Sequence, residues 1–539
     1  MSGVLRLARA QARRDRWTLP LWIVGIAVLG LAAGSAVAAE FGDEAERAAI
    51  VAVAAANPAF LFLRGLPDGL SIGSVVFFQA YAFTAVLAGL MNTFLVVRHT
   101  RADEELGRGE LIGATPVSRA APLVATVLLA VAANTALAAA VALGYLGGGL
   151  PLGGSIAAAA AVASVGLVFA AVAAVLCQLM PTGRSSNGAA AALVGLAYLL
   201  RGTADALGTP NPQLTRVETS PLSWLSPIGW GQQVRPYSEP TLAPLLLALG
   251  VAAALLLLAV TLRARRDLGD SLLPERPGRA TAGLGGNGVV GLAWRLQRGA
   301  AAGWCVGGAA LGLVAGGLAP VVANAVEGNA SLAELIGSLV PGTQADIVDI
   351  FTAALLGMAG VLAGAAGVQA VLRLRSEEAE GRAEILLATP LSRARWVGAS
   401  LAIAAASTLA VSTVAGAAAG SLVATSSGDP ALLGRFVGAA LAHVPAAIVF
   451  VALAALVFAL APRLTTTLGW GLLALGLVLG QFGELLRIPE WAQNMSPYRH
   501  ASAVPVEDFD VASAIVLSVV AVGLAAVAMV GTGRRDLAP

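Results

Sequence analysis

The chain contains no lysine, so all 33 of its Lys and Arg residues are arginine. A P-loop needs a lysine to reach the β- and γ-phosphates of a bound nucleotide, and Schiff-base catalysis needs a lysine amine. The sequence therefore excludes a normal Walker A site and lysine-based covalent chemistry. We predict that the chain is not an enzyme.

Residues that hold metals or carry redox chemistry are also scarce. Cys177 and Cys305 both lie in apolar runs, and His99, His443 and His500 are scattered without ligand spacing. Neither a disulfide framework nor a metal site follows from this pattern. We predict no metal, no resident cofactor and no nucleic-acid partner.

Charged residues are also scarce. Only 12% of the residues are charged, 58% are hydrophobic, and the mean hydropathy is +0.81. A soluble globular protein has about 25% charged and about 45–50% apolar residues. Glycine, at 63 of 539 residues, is enriched, as it is where transmembrane helices approach closely. The composition predicts an all-α polytopic membrane protein.

Apolar runs of about 20 residues are long enough to cross the hydrocarbon core of a bilayer as helices. We predict twelve spans: 17–39, 73–97, 121–147, 156–180, 187–200, 242–262, 300–324, 350–372, 396–425, 436–460, 465–482 and 511–530. Arg201, Asp349 and Glu484 lie at or beyond the ends of spans. A membrane-embedded enzyme or a proton relay needs such groups inside the bilayer, so the sequence disfavours both.

The distribution of arginine predicts the orientation. With a cytoplasmic N-terminus, 25 of the 33 arginines lie in cytoplasmic segments, as the positive-inside rule requires. We therefore predict a multi-pass protein of the cell membrane with both termini cytoplasmic. A cleaved signal peptide ending near 36–38 is disfavoured, because the first apolar run exceeds the usual length of about 7–15 residues.

An internal duplication relates the two halves of the chain. Residues 101–119 recur as 375–393, with ten of the nineteen positions identical and no gap. The motif Arg-Arg-Asp-Leu follows the sixth span at 265–268 and the twelfth span at 534–537. Because the repeated unit has six spans, an even number, the halves are parallel rather than inverted.

The duplication also predicts the domain boundaries. Residues 1–269 form a first six-helix domain that includes an N-terminal amphipathic helix, and residues 291–539 form a second six-helix domain. Between them, residues 270–290 are rich in Gly and Pro, which is typical of a linker.

The repeated segment lies between the second and third spans of each half, on the predicted cytoplasmic side. A solvated hairpin whose charges only fix topology explains the arginines, but not the repeated acidic residues, glycine and spacing. We therefore predict a protein-docking surface. Its residues are Arg101, Glu104, Gly107, Arg108, Glu110, Thr115, Pro116 and Arg119, with Arg375, Glu378, Gly381, Arg382, Glu384, Thr389, Pro390 and Arg393. The threonines are predicted to cap the following span, with each proline at its first helical position.

The pattern Glu-x-x-Gly-x-x-Glu-x-x-x-Ala-Thr-Pro-x-Ser-Arg resembles the cytoplasmic loop of type-2 ABC exporter permeases, although arginine follows the glycine where many of them have threonine. The fused two-half form is similar to actinobacterial exporters of polyketide antibiotics and other drugs. The resemblance implies a type V-like permease fold. It also implies that the repeated segments are coupling helices, which dock on two copies of a separate ATPase. That partner would bind ATP and Mg²⁺.

Two flanking features have alternative explanations. Arg6, Arg9, Arg13 and Arg16 share one helical face, which indicates an interfacial amphipathic helix over 4–16, repeated in shortened form over 292–298. A positive-inside anchor explains these arginines equally well. The external loops 201–241 and 483–510 are rich in Pro, Trp and Tyr, as in an aromatic belt. By resemblance they form an external gate.

Polar and aromatic residues within the spans are candidates for a substrate path: Phe78, Gln79, Tyr81, Asn92, Asn134 and Gln369. Interhelical hydrogen bonding is the competing explanation. We predict the permease subunit of an ATP-driven exporter of hydrophobic or amphiphilic compounds, with membrane lipid as a further partner. The alternative is a proton-driven major-facilitator carrier, which the missing proton relay and the docking-type loop disfavour.

Overall fold

The structure, a computed structural model, describes residues 2–40, 42–56, 58–273, 288–327, 347–481, 489–504 and 506–536. Within these residues it contains α-helices, short 3-10 turns and one pair of two-residue strands, β1 (Thr209–Pro210) and β2 (Val217–Glu218). The predicted all-α class is confirmed.

The described part of the first half contains twelve α-helices, several of them short pieces between the long apolar helices. They are α1 (Ser2–Arg14), α2 (Thr18–Glu40), α3 (Glu44–Ala56), α4 (Pro58–Arg64), α5 (Ile72–His99), α6 (Arg101–Glu105), α7 (Arg108–Gly113), α8 (Ala121–Gly147), α9 (Leu152–Leu179), α10 (Gly183–Ala206), α11 (Pro227–Gln232) and α12 (Ala243–Arg265).

The described part of the second half contains nine α-helices in a similar order. They are α13 (Gly288–Glu327), α14 (Ile347–Ala379), α15 (Arg382–Leu387), α16 (Arg393–Ser427), α17 (Ala431–Leu441), α18 (Val444–Leu460), α19 (Thr465–Gln481), α20 (Glu490–Gln493) and α21 (Val511–Arg534).

Eleven candidate spans in the described residues are long and apolar enough to cross a membrane, and each overlaps one of the twelve predicted spans. The fifth predicted span, 187–200, lies within α10, which is not among the eleven. The reason is polarity, since α10 begins with Gly-Arg-Ser-Ser-Asn and carries Arg201 and Asp205 near its end. The tenth predicted span, 436–460, is two helices, because α17 ends at Leu441 and α18 begins at Val444.

The chain forms two compact units, Met1–Pro277 and Gly278–Pro539. In the first unit α5 and α9 lie at the centre and most of their residues are buried, whereas few residues of α12 are buried. In the second unit the core is formed largely by α14 and α18. Each unit therefore surrounds its second and fourth spans with the others.

Glycines bring the first and third spans of each unit into close contact. An added Cβ at Gly144 of α8 would lie 2.7 Å from the Ala27 carbonyl oxygen of α2. In the second unit, an added Cβ at Gly312 of α13 would lie 2.1 Å from the Ala415 carbonyl oxygen of α16. Side chains at either position would force the helices apart. Close backbone approach at small residues is typical of helix packing in membranes.

Candidate functional site

The two repeated segments, residues 101–119 and 375–393, share one backbone conformation. Gly107 and Gly381 both lie at φ 71° and ψ 0°, in the left-handed region, which glycine adopts without steric cost. Each glycine immediately precedes a short helix, α7 in the first segment and α15 in the second. The sequence repeat is therefore also a structural repeat.

The arginine after each glycine binds the acidic residue five positions before it. Arg108 Nη1 donates to Asp103 Oδ1 at 2.9 Å, and Arg382 Nε donates to Glu377 Oε2 at 2.7 Å. Hydrogen bonds to Glu377 and Glu380 raise the pKa of Arg382 above its usual value. Sequence reasoning did not select Asp103 or Glu377. The available signal was their acidic character at equivalent positions of the repeat.

Glu104 and Glu378 join the repeated segments to the Arg-Arg-Asp-Leu motifs. Arg266 Nη2 donates to both carboxylate oxygens of Glu104 at 2.7 Å, and Arg263 lies 2.8 Å from the same carboxylate. In the second unit Arg535 donates to both oxygens of Glu378, at 2.6 and 2.9 Å. Their side chains are 10% and 1% exposed, so these carboxylates bind the chain's own arginines and present little surface.

The other arginines predicted to belong to the docking surface lie in different environments. Arg101 is buried, and its guanidinium donates to the Pro181 carbonyl oxygen at 2.9 Å and the Asp270 carbonyl oxygen at 2.6 Å. Arg119 is exposed, 3.9 Å from Asp267. Arg393 donates to the Arg535 carbonyl oxygen, and Arg375 is half-buried. Arg101 and Arg393 therefore hold the segments against the ends of spans.

The outward side of each segment forms a surface that we call the exposed ridge. It consists of Glu110, Leu111, Thr115 and Pro116 in the first unit, and Glu384, Ile385, Thr389 and Pro390 in the second. Leu111 and Ile385 are equivalent in the repeat, and each is 74% exposed. Sequence reasoning missed both, although an apolar residue at the same place in two charged segments was a usable signal.

The predicted capping role of the threonines is wrong. Thr115 Oγ1 donates to the Ile112 carbonyl oxygen and Thr389 Oγ1 to the Leu386 carbonyl oxygen, each at 2.6 Å. Both hydroxyls therefore close the short helix before them. The following spans begin only at residues 121 and 393, so Pro116 and Pro390 lie outside them. In the second unit Ser392 is the N-cap of α16.

The N-terminal amphipathic helix lies against α8 and the first repeated segment. Gln11 Nε2 donates to Thr126 Oγ1 at 3.0 Å, and Arg14 Nη1 donates to Asp103 Oδ1 at 2.6 Å. The predicted counterpart at 292–298 is instead the beginning of the 40-residue helix α13. The first unit thus has a separate amphipathic helix, while in the second this segment continues into the span.

Asp15 anchors the end of this amphipathic helix. Its carboxylate lies 2.5 Å from Arg98 and 2.9 Å from His99 at the end of α5. Burial raises the pKa of Asp15, but hydrogen bonds to His99 and Arg98 outweigh burial and hold the pKa below its usual value. The helix is therefore tied to the second span by charge.

The proposed substrate-path residues lie in three environments. Phe78 and Tyr81 are buried, and the Tyr81 hydroxyl donates to the Ile228 carbonyl oxygen of α11 at 2.7 Å. Gln79 is half-buried. In the second unit the Trp304 indole donates to Gln369 Oε1.

The other two path candidates, Asn92 and Asn134, bind each other. Their amide groups exchange hydrogen bonds of 3.1 and 2.6 Å between α5 and α8, and each NH₂ also donates to a carbonyl oxygen of its own helix. A Cβ at Gly166 of α9 would lie 2.2 Å from Asn134 Oδ1. Three helices therefore meet at this pair, which has the geometry of an interhelical hydrogen bond.

The segment of the first unit that is predicted to be external is packed into its bundle. The residues of α11 are almost all buried against α9 and α10. Arg201, expected at a membrane interface, is fully buried and lies 3.2 Å from the equally buried Asp205. Gln232 of α11 donates to Asp205 at 3.0 Å. Helix α10 runs to Ala206, beyond the predicted end of the span at 200, because this ion pair satisfies its charges internally.

These features define the class of membrane protein to which the chain belongs. The described chain is an all-α, multi-pass membrane protein built from two units that carry the same charged segment in the same conformation. The family described as the multidrug efflux system permease Rv1217c, C-terminal domain, matches residues 10–262 and 287–532. The chain is also 37% identical over 538 residues to the multidrug efflux system permease protein Rv1217c of Mycobacterium tuberculosis, covering 99% of this chain and 95% of that protein. The chain belongs to this family of multidrug efflux permeases, which confirms the resemblance to exporter permeases.

Proposed function

We propose that the chain is the permease subunit of an ATP-driven exporter of hydrophobic or amphiphilic compounds. Two copies of a separate ATPase, which binds ATP and Mg²⁺, supply the energy. The observation that carries this proposal is the exposed ridge, which occurs twice with one geometry. An apolar side chain beside a carboxylate forms a small complementary surface for a partner.

The contacts behind the ridge support this role. Glu104 is held by Arg263 and Arg266 at the end of α12, and Glu378 is held by Arg535 after α21. Each ridge is thereby linked to the last span of its unit as well as to the second span that precedes it. Movement of a docked ATPase would shift the ends of both spans together, as in a hinge-type change between two states.

The proposal includes orientation and cargo. Arginine is concentrated on the side that carries the ridges, which the positive-inside rule places in the cytoplasm together with both termini. The relative is named for multidrug efflux. We infer a similar cargo class for this chain, which the apolar composition of its spans supports.

Co-purification with the ATPase subunits of its own organism tests the proposal. We expect wild type to retain two ATPase copies per chain with vanadate-sensitive turnover. The double variant Leu111→Ser/Ile385→Ser should retain at least ten-fold less. Leu207→Ser is a matched control, because Leu207 is 62% exposed at the end of α10 but lies outside the ridge, and its complex should match wild type.

Two outcomes would contradict the proposal. Equal ATPase retention by the ridge variant and the control would remove the ridge as the docking surface. A chain that stays alone, yet moves substrate in vesicles under a proton gradient, would establish the alternative of a major-facilitator-type carrier.

A further inference from the structure

The first unit contains a cavity of about 200 Å³ that the proposed function does not use. Its walls are α1, the first repeated segment and the adjoining ends of α5, α8, α9 and α12. This volume is several times the share of about 30 Å³ that one water has in the liquid. The cavity therefore has room for a small polar ligand.

Two amide oxygens in the cavity wall need a donor. Gln178 is 2% exposed, and its Nε2 donates to the Ala174 carbonyl oxygen at 3.1 Å. This contact fixes the amide orientation, because a carbonyl oxygen only accepts. Gln11 is oriented as well, because the Thr126 hydroxyl donates its one hydrogen to the Pro122 carbonyl oxygen at 3.0 Å and therefore accepts from Gln11 Nε2. Among the described residues, no donor reaches Oε1 of either glutamine.

Another part of the cavity wall is positively charged. Arg14 and Arg108 both bind the same oxygen of Asp103, at 2.6 and 2.9 Å, so two guanidinium groups lie side by side on one carboxylate. Besides His99, the charged side chains that line the cavity are three arginines and two carboxylates: Arg14, Arg108, Arg263, Asp103 and Glu104. These groups leave one excess positive charge, and the half-exposed side chains of Arg14 and Arg108 can bind an anion.

We propose that this cavity binds an aminoethyl phosphate ester, with the phosphate on Arg14 and Arg108 and the ammonium on the amide oxygens of Gln11 and Gln178. Apolar side chains such as Leu7 and Leu123 also line the cavity, and α1 has the amphipathic pattern of an interfacial helix. Both observations fit the headgroup of phosphatidylethanolamine. A free molecule such as glycerophosphoethanolamine carries the same chemistry.

The second unit provides an internal contrast. The corresponding site between the start of α13, the second repeated segment and α16 has a volume of only about 30 Å³. Trp396 lines it at the position equivalent to Pro122 of the first unit. Gln297 there also has an Oε1 that no described donor reaches, but the space is too small for a headgroup. We therefore expect one ligand per chain.

Native mass spectrometry of the full-length chain tests the proposal, after purification from vesicles of equal parts phosphatidylethanolamine, phosphatidylcholine and phosphatidylglycerol. Phosphatidylcholine keeps the positive charge but has no N–H donor, and phosphatidylglycerol has no ammonium. We expect one phosphatidylethanolamine per chain, retained at least ten-fold over the other two. Gln178→Leu and Pro122→Trp should each lower this retention at least ten-fold, whereas Gln297→Leu should leave it unchanged.

Two results would contradict the binding of phosphatidylethanolamine in this cavity. Unchanged retention in both Gln178→Leu and Pro122→Trp, or equal retention of phosphatidylcholine, would overturn the proposal. Gln178→Leu keeps the test valid if the larger tryptophan prevents folding. A second arm adds soluble glycerophosphoethanolamine to lipid-free protein. Binding of this compound at the affinity of the lipid would identify a free ligand, and survival of only the long-chain lipid would identify the membrane as the source.

Discussion

Glu378 accepts hydrogen bonds from both terminal nitrogens of Arg535, at 2.6 and 2.9 Å, although 157 residues separate them. The equivalent Glu104 accepts two hydrogen bonds from Arg266, 162 residues away. The same ion pair thus closes both units, joining the charged segment after the second span to the residues after the last span. It makes the position of each exposed ridge depend on the whole unit.

Breaking this pair should destabilise the second unit. Removing one partner of a buried ion pair costs about 3–5 kcal/mol, and because Arg535 is 16% exposed we expect about 3 kcal/mol for Glu378→Ala. A double-mutant cycle with Arg535→Ala, measured by unfolding in detergent, should show that the two losses are not additive. Additive losses would mean that the pair has no coupling energy.

Charge reversal on the ridge should weaken docking of the ATPase and so its stimulation by the chain. Glu110→Arg/Glu384→Arg changes two exposed carboxylates, so the fold should persist while partner binding weakens. We expect ATPase stimulation by the chain to fall at least ten-fold, and by far less in Gln79→Ala/Asn92→Ala. Equal stimulation in wild type and the reversed variant would contradict a docking role for these carboxylates.

A substitution at Gly166 should disrupt the Asn92–Asn134 pair. The Cβ of Gly166→Ala would lie 2.2 Å from Asn134 Oδ1 and 2.7 Å from Asn92 Nδ2, so the amides must move apart. We expect a lower Tm, which Asn134→Ala should partly restore by removing the clash. A Tm unaffected by Gly166→Ala would show that the three helices are not in close contact here.

The attachment of the amphipathic helix α1 should weaken at low pH. In the folded protein the pKa of Asp15 lies below its usual value of 3.8. The ionised carboxylate therefore stabilises the folded state at pH values above 3.8, and this stabilisation is lost as the pH falls through the folded pKa. We expect hydrogen-exchange protection of α1 to hold from pH 7 to about pH 4 and to fall below that.

The matched variant for this prediction is Asp15→Asn. It should expose α1 to exchange already at pH 7, because the neutral amide cannot form the ion pair with Arg98. Protection equal to wild type at pH 7 would show that packing against α8 alone holds the helix.

The sequence predicted the spans well, because about twenty consecutive apolar residues have few stable places outside a bilayer or a buried core. Its errors fall where a polar side chain binds a partner that the sequence does not single out. Helix α10 continues through Arg201 because Arg201 pairs with Asp205, whose carboxylate also accepts a hydrogen bond from Gln232. Thr115 was assigned to the wrong helix because a hydroxyl can bond to carbonyls before it as well as to amides after it.

Composition and repetition thus established a membrane protein whose basic residues, apart from histidine, are all arginine, with a charged segment repeated between the second and third spans of each half. Folding assigned the roles within that segment, burying Glu104 and Glu378 on distant arginines and leaving Leu111 and Ile385 exposed. The physical reason is the distance along the chain over which each effect operates. Hydropathy is a property of the residues within one helix and can be read from the sequence. An ion pair forms between residues far apart in the sequence, and it depends on which of the many arginines the packed helices bring within about 3 Å.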